Sequence, residues 1–209
     1  MRPLETKTRK EVKRKRNQII IGLFIAFLMV FGVVGHAFLS GTRQEQGQQK
    51  TYNGHVFVKT NEGWQTEMLI EGKAHRITTA FLPQELENIS SQGTLLLSAF
   101  KFKTIYIIAN NVSERQAASN LYTNLNKIAL RMQLACSEKE AESEFCLENE
   151  LPIKSCNDAS ETVTIIQIEE TETEPNITYK NNCLVIEGKG SELVRAAEKS
   201  IFMAFGIME

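Results

Sequence analysis

Residues 104–135 read TIYIIANNVSERQAASNLYTNLNKIALRMQLA, and this stretch decides the predicted fold. The apolar run at 104–108 is typical of a strand that is buried on both faces. Ser113 and Gln116 have the spacing of a capping box, which predicts that a helix begins there and continues over 113–135. One face of that helix would carry Ala117, Leu121, Leu125, Ile128 and Met132. A second apolar run at 163–168 completes a strand–helix–strand crossover, which is typical of an α/β domain.

Shorter patterns on both sides of this crossover add strands to the prediction. Residues 55–58 are a strand candidate, and apolar residues alternate with polar ones over 64–70 and 75–81. Gly-containing turns separate these segments, so they predict an antiparallel meander. Two further apolar runs, at 95–97 and 183–186, also have the length of strands.

A helix from about Ser191 closes the chain. Its apolar residues follow a helical period, and Glu192, Arg195 and Glu198 are expected to face the solvent. The predicted fold class is therefore α/β (α+β): a two-layer domain over residues 52–209, in which helices pack on one face of a mixed sheet.

The segment 19–39, IIIGLFIAFLMVFGVVGHAFL, contains 21 residues and no formal charge, and it predicts a transmembrane helix. Eight Lys and Arg against two Glu precede it, so residues 1–18 are interpreted as a cytoplasmic basic tip. The chain is then a single-pass plasma-membrane protein that contacts lipid through 19–39, with a polar stalk at 40–51 and its C-terminal domain outside the cell. An uncleaved signal anchor is favoured over a cleaved signal peptide because the apolar run exceeds the usual length of a signal-peptide core.

Four cysteines, all in the predicted outer domain, indicate disulfides in an oxidising compartment. Of the three possible connectivities, Cys136–Cys146 and Cys156–Cys183 are preferred, because they link segments that the predicted strands bring close together. Zinc is the alternative, although no two of these cysteines have the short spacing of a zinc site. No metal or cofactor is expected. Three sequons, at Asn88, Asn111 and Asn176, are predicted glycosylation sites.

Sequence motifs of known chemistry are missing from the chain. It contains no nucleophile elbow, zincin helix, phosphate-binding loop or dinucleotide fingerprint. The net charge of −1 gives no indication of nucleic-acid binding. His55, Glu67 and His75 are the candidates for an acid–base or metal site, since they fall on adjacent predicted strands. Trp64, the only tryptophan, is a candidate ligand platform, although a core position is more usual for such a residue.

The C-terminal third contains one further recognisable set of residues. It consists of Ala135-Cys136, Cys146, Leu151-Pro152-Ile153-Lys154-Ser155-Cys156, Val163-Thr164-Ile165-Ile166, Asn182-Cys183-Leu184-Val185-Ile186-Glu187-Gly188, Leu193-Val194-Arg195-Ala196-Ala197 and Phe205-Gly206-Ile207. This set resembles that of uncharacterised single-pass envelope proteins of archaea. The resemblance implies paired cysteines and an external domain, and it implies no activity or ligand.

Three functions remain as hypotheses at this point. The first is a non-enzymatic interaction or structural module that has protein partners in an envelope assembly. The second is an extracytoplasmic hydrolase that uses carboxylates or the His55/His75 pair. The third is a solute- or glycan-binding receptor with Trp64 in its cleft.

Overall fold

A computed structural model describes residues 48–209 of the protein. The predicted basic tip (1–18), the predicted transmembrane helix (19–39) and most of the predicted stalk (40–51) lie outside these residues. Within 48–209, no helix combines the length and the apolar character needed to cross a bilayer.

The first sheet is an antiparallel meander, as predicted. Its strands pair in chain order and are β1 (Gln49–Tyr52), β2 (His55–Thr60), β3 (Gly63–Ile70) and β4 (Lys73–Thr79). Asn53-Gly54 and Glu71-Gly72 join strands through two-residue loops, and all four residues have positive φ. The prediction of a stalk over 40–51 is wrong at its C-terminal end, because β1 already begins at Gln49. This strand carries almost no buried side chain, so main-chain pairing with β2 defines it rather than an apolar pattern.

The second sheet has six strands and forms the larger part of the domain. They are β5 (Ser90–Gln92), β6 (Thr104–Ile108), β7 (Arg131–Ala135), β8 (Val163–Glu170), β9 (Asn176–Lys180) and β10 (Cys183–Gly188). Their order across the sheet is β5-β9-β10-β8-β6-β7. All neighbouring pairs are parallel except β9 and β10, so the sheet is mixed, as predicted.

The helix that follows β6 is shorter than the sequence predicts. This helix, α1, covers Val112–Leu125, and its N-cap is Asn111, whose side chain accepts a hydrogen bond from the Glu114 amide. The predicted continuation to residue 135 is wrong, because Met132 lies in β7. Residues 130–134 alternate between apolar and polar, and this period of two defines a strand beside β6. The predicted strand at 95–97 is also wrong, since a 3-10 turn begins at Leu97.

Two long helices lie between the two sheets. The last helix, α3 (Glu192–Ala204), contacts α1 and the central strands of the second sheet. On its other side Phe202 packs edge-to-face against Phe57 of β2, with 5.7 Å between ring centroids. The side-chain amide of Asn124 in α1 binds β4 through two hydrogen bonds. It accepts one from the Thr78 N–H at 2.8 Å and donates one to the Thr78 carbonyl at 3.0 Å. The domain is therefore a three-layer mixed α+β fold, and the two-layer prediction is corrected in this respect.

Two charged side chains of α3 are buried because both faces of the helix are covered. Glu198 has no exposed surface, which contradicts its predicted outward position. Its carboxylate accepts hydrogen bonds from the amides of Ala80 (2.7 Å) and Phe81 (2.9 Å). Burial raises the pKa of Glu198 to about 7, although these two hydrogen bonds act in the opposite direction. The neighbouring Lys199 donates to the Ile89 carbonyl at 2.6 Å, and burial lowers its pKa.

The chain between β7 and β8 (136–162), which we call the cysteine-bearing segment, covers the opposite face of the second sheet. It contains the short helix α2 (Glu144–Glu148) and an isolated parallel bridge between Cys136 and Ile153. Ile108 and Ile165 form a small apolar cluster with this segment, separate from the main core.

Candidate functional site

A cleft opens at the carboxyl ends of β6 and β8, two parallel neighbours in the second sheet. The chain leaves β6, crosses through α1 and adds β7 on one side of β6. The next strand, β8, then pairs with β6 on its other side. The direction of strand addition therefore reverses between β6 and β8. In open α/β sheets, ligands bind outside the carboxyl ends of the strands at such a reversal.

This cavity, which we call the switch-point cleft, has a volume of about 460 Å³, within the range of small-molecule sites. Three parts of the chain line it. They are the β6–α1 connection with Ile108, Asn110 and Glu114, the end of β8 over 167–171, and the cysteine-bearing segment with 137–140 and 154–155.

Glu114 connects the two strand ends that border the cleft. Its carboxylate accepts hydrogen bonds from the amide of Asn110 at 2.6 Å and from the amide of Glu170 at 3.1 Å. The Asn111 side chain donates to the same carboxylate at 2.9 Å. Asn110 in turn accepts a hydrogen bond from the Ser137 amide at 3.3 Å, which brings in the third part of the lining. Because its acceptor positions are occupied, Glu114 is held rigidly. We call Glu114 and the groups that these hydrogen bonds join the frame of the cleft.

The charge of the cleft selects against anionic ligands. Its lining contains five glutamates, at 114, 138, 140, 169 and 170, against Lys139 and Lys154. Lys154 is already paired with Asp158 at 3.3 Å, and its ammonium lies 5.1 Å from the ring centre of Tyr106. Gln167 donates to Glu169 at 2.6 Å, so it holds that carboxylate in place. The remaining field is negative, which suits neutral or cationic polar ligands.

The two disulfides hold the outer wall of the cleft. Cys136 pairs with Cys146 and Cys156 pairs with Cys183, which confirms the preferred connectivity and excludes a zinc site at these residues. Ser137 directly follows the first bridge along the chain, and Ser155 directly precedes the second. The loop at 137–140 is therefore attached to the buried Cys136–Cys146 bridge. The loop at 154–155 is fixed to β10 through the bridge from Cys156 to the buried Cys183.

The structure does not bring His55, Glu67 and His75 together. His75 pairs in register with Met68, so it lies on the opposite face of the meander from Glu67. Glu67 pairs instead with Arg76 at 3.0 Å. His55 is two strands away from β4, since β3 separates them. Within residues 48–209, no group of three His, Cys, Asp or Glu side chains is placed to hold a metal ion.

Trp64 is a core residue and does not line a ligand cleft. Only 7% of its surface is exposed, and it packs in the main hydrophobic core. The ammonium of Lys59 lies over the indole ring, 5.0 Å from the ring centre. This position removes the basis for a receptor whose ligand stacks on Trp64.

The three sequons lie in different environments. Asn88 is exposed beside the turn before β5. Asn111 is the N-cap of α1, and Asn176 donates to Glu187 at 3.2 Å within the second sheet. A glycan on either of these two amides would replace one of its N–H groups and crowd the carboxylate to which the amide donates, so Asn88 is the sequon that the fold leaves accessible.

The cleft residues themselves escaped the sequence analysis. The spacing of Asn111 and Glu114, which matches a capping box as well as Ser113 and Gln116 do, was the available signal for the frame. For the rest of the lining, the signal was the alternation that places β7 after α1. Comparison of the chain with protein-family models, with curated proteins and with solved structures finds no match.

Proposed function

We propose that this chain is a single-pass membrane protein whose extracytoplasmic domain is a non-enzymatic binding module, and that its ligand occupies the switch-point cleft. The observation that carries the proposal is the position of the cleft at the reversal between β6 and β8. A hydrolase based on His55 and His75 has no comparable support.

The membrane anchor and the location rest on the sequence and on the disulfides. Residues 19–39 would span the bilayer, and the basic tip at 1–18 would stay in the cytoplasm. Both bridges require an oxidising compartment, which agrees with an external domain. The predicted lipid contact and the predicted location are thus parts of the same proposal.

The lining supports binding rather than catalysis because the side chains that could act on a ligand chemically already have fixed partners. Glu114 is occupied by main-chain amides, Lys154 is paired with Asp158, and Gln167 is bound to Glu169. Such groups define a rigid shape with hydroxyl and amide contacts at Ser137 and Asn110. We therefore expect a neutral or cationic polar solute, such as a sugar, a polyol or an amine.

Two-dimensional NMR of the labelled Gly47–Glu209 unit tests this proposal. This unit is compact by itself. A panel of neutral sugars, polyols and amines should include compounds that shift amides near Asn110, 137–140 and 169–171. Ser137→Trp, which fills the cleft, should abolish these shifts. Ser98→Trp, at an exposed turn away from the cleft, is the matched control and should leave them unchanged.

Two results would contradict a ligand site in the cleft. One is a set of shifts that persists in Ser137→Trp, which would place the ligand elsewhere. The other is the finding that anionic compounds bind at these amides better than the neutral and cationic ones.

A further inference from the structure

β7 is an edge strand of the second sheet, and an apolar groove runs beside it. Within residues 48–209 its only strand partner is β6. On its other side Cys136, directly after β7, is already paired with Ile153, so the unpaired main-chain groups are those that precede this bridge. The groove has a volume of about 300 Å³ and lies between α1 and the sheet. Its walls are mainly apolar and include Ala118 and Tyr122 of α1 and Met132 and Leu134 of β7.

Exposed apolar surface continues the groove along the edge. Leu130, which directly precedes β7, is 73% exposed. Tyr122 is 49% exposed beside it. An added strand would bury these side chains and would also pair with the main-chain groups of β7.

Two exposed cations, Lys127 and Arg131, lie at the start of β7, whereas the acidic segment 138–150 follows its end. Residues 112–135 contain Arg115, Lys127 and Arg131 and one carboxylate, Glu114, which is buried in the frame of the switch-point cleft. None of the three cations has a carboxylate partner within the described part of the chain. Residues 40–209 as a whole contain 23 acidic and 16 basic side chains, so this basic edge stands out from an acidic domain.

These charges decide between two kinds of strand. Pairing of β7 with β7 of a second copy would bring two sets of the same cations together, and like charges across a strand pair are destabilising. An acidic strand from another protein would meet complementary charge instead. Its alternate apolar side chains would enter the groove, while its carboxylates would face Lys127 and Arg131.

We propose that the β7 edge binds an extended acidic peptide segment of a partner protein, which adds to the second sheet as a seventh strand. Main-chain hydrogen bonds to β7 provide the affinity. The groove selects for apolar side chains at alternate positions of the peptide, and the cations select for carboxylates at the others. This surface is separate from the switch-point cleft, so the two proposals stand or fall independently.

A labelled peptide tests the proposal on the full-length chain in detergent micelles. The probe is a fluorescein-labelled peptide in which Glu and Val alternate over about seven residues, the length of an ordinary strand. The comparison peptide carries Lys in place of each Glu. Fluorescence anisotropy should show saturable binding of the acidic peptide, and added salt should weaken it. Hydrogen exchange of the β7 amides should slow when the peptide is bound.

Charge reversal at the edge separates this site from general attraction. The double variant Lys127→Glu/Arg131→Glu changes two exposed side chains, and it should weaken binding about tenfold or more. Lys180→Glu, an exposed position on β9, is the matched control and should change binding little. Leu130→Lys should also weaken binding, because it removes an apolar contact at a position that is too exposed to affect folding.

Four outcomes would overturn the proposal. The acidic peptide could fail to bind at millimolar concentration. The basic peptide could bind equally well. Lys180→Glu could weaken binding as much as the double variant. Finally, the chain could sediment as a dimer that Leu130→Lys dissociates, which would assign the β7 edge to a second copy.

Discussion

Replacing Glu198 by Gln should remove most of the pH dependence of domain stability between about pH 4.5 and pH 7. Glu198 has no exposed surface, and its pKa in the folded domain is about 7 against an ordinary value of 4.5. In the folded state the carboxyl therefore holds its proton to a higher pH than in the unfolded state. Its favourable contribution is complete below the unfolded value and is lost as the pH rises through the folded value.

The size of this effect follows from the two pKa values. A difference of one pKa unit corresponds to about 1.36 kcal/mol, so the step from 4.5 to about 7 corresponds to about 3 kcal/mol. Glutamine has the same shape and no charge, but it places an NH₂ group against one of the amides of Ala80 and Phe81. That mismatch costs about 1–3 kcal/mol at every pH, so it shifts the curve without changing its slope.

Urea unfolding of the Gly47–Glu209 unit, with its disulfides intact, measures the effect. Trp64 is the only tryptophan and is buried, so its emission reports unfolding. The free energy of unfolding of the natural protein minus that of Glu198→Gln should fall by about 3 kcal/mol from pH 4.5 to pH 8. Glu142→Gln, at an exposed carboxyl, should give a flat difference. A flat or rising difference for Glu198→Gln would refute the reasoning, because it would mean that the two amides outweigh burial.

Three further predictions concern the frame, the bridges and the membrane topology. Glu114→Ala should lower the free energy of unfolding by about 2–3 kcal/mol in urea titrations, because several amides lose a common acceptor, whereas Glu138→Ala, at an exposed position, should have little effect. Removal of both Cys156 and Cys183 should cost roughly 3–4 kcal/mol in the same assay, since this bridge spans 27 residues; a loss below 1 kcal/mol would show that the unfolded chain is not constrained by it. Expression in a glycosylating secretory pathway should add one glycan, at Asn88, and Asn88→Gln should abolish the mobility shift; an unmodified chain would argue against an external domain or against an accessible sequon.

Strands β3 and β4 were predictable from alternation and strands β6, β8 and β10 from their continuous apolar runs, whereas β7 and the end of α1 were not predictable. Ile128 and Met132 continue the helical period of α1, so the sequence supports a helix to residue 135. The competing signal is the alternation from Leu130 to Leu134, which is only five residues long. Sheet pairing with β6 favours the strand, and this energy comes from residues that are distant in sequence.

The same error concealed the switch-point cleft. If residues 113–135 were one helix, β8 would simply follow β6 through a single crossover, and the direction of strand addition would not reverse there. The cleft appears once β7 is inserted. The cysteine pairing, in contrast, was predictable, because it needed only the approximate positions of strands and loops.

Burial of Glu198 and Lys199 was missed for a different reason. A helical pattern read from sequence assumes that one face meets the solvent along the whole helix, whereas in α3 only Glu192 and Arg195 near its start are partly exposed, because a sheet covers each side of the rest. The small residues Ala196, Ala197 and Ser200 allow this close approach, but small residues also occur on exposed helices, so they carry no clear signal.

The position of α3 has a consequence for how the chain reaches its native state. The last element of the domain in chain order is its innermost part, and even Ile207 and Met208 after α3 are buried. Until that segment arrives, the two sheets have no common interior to close upon. Chaperones and proteases therefore meet an incomplete domain until α3 has been synthesised, and a deletion of the few residues 205–208 that follow α3 should be as harmful here as a deletion from the middle of the core.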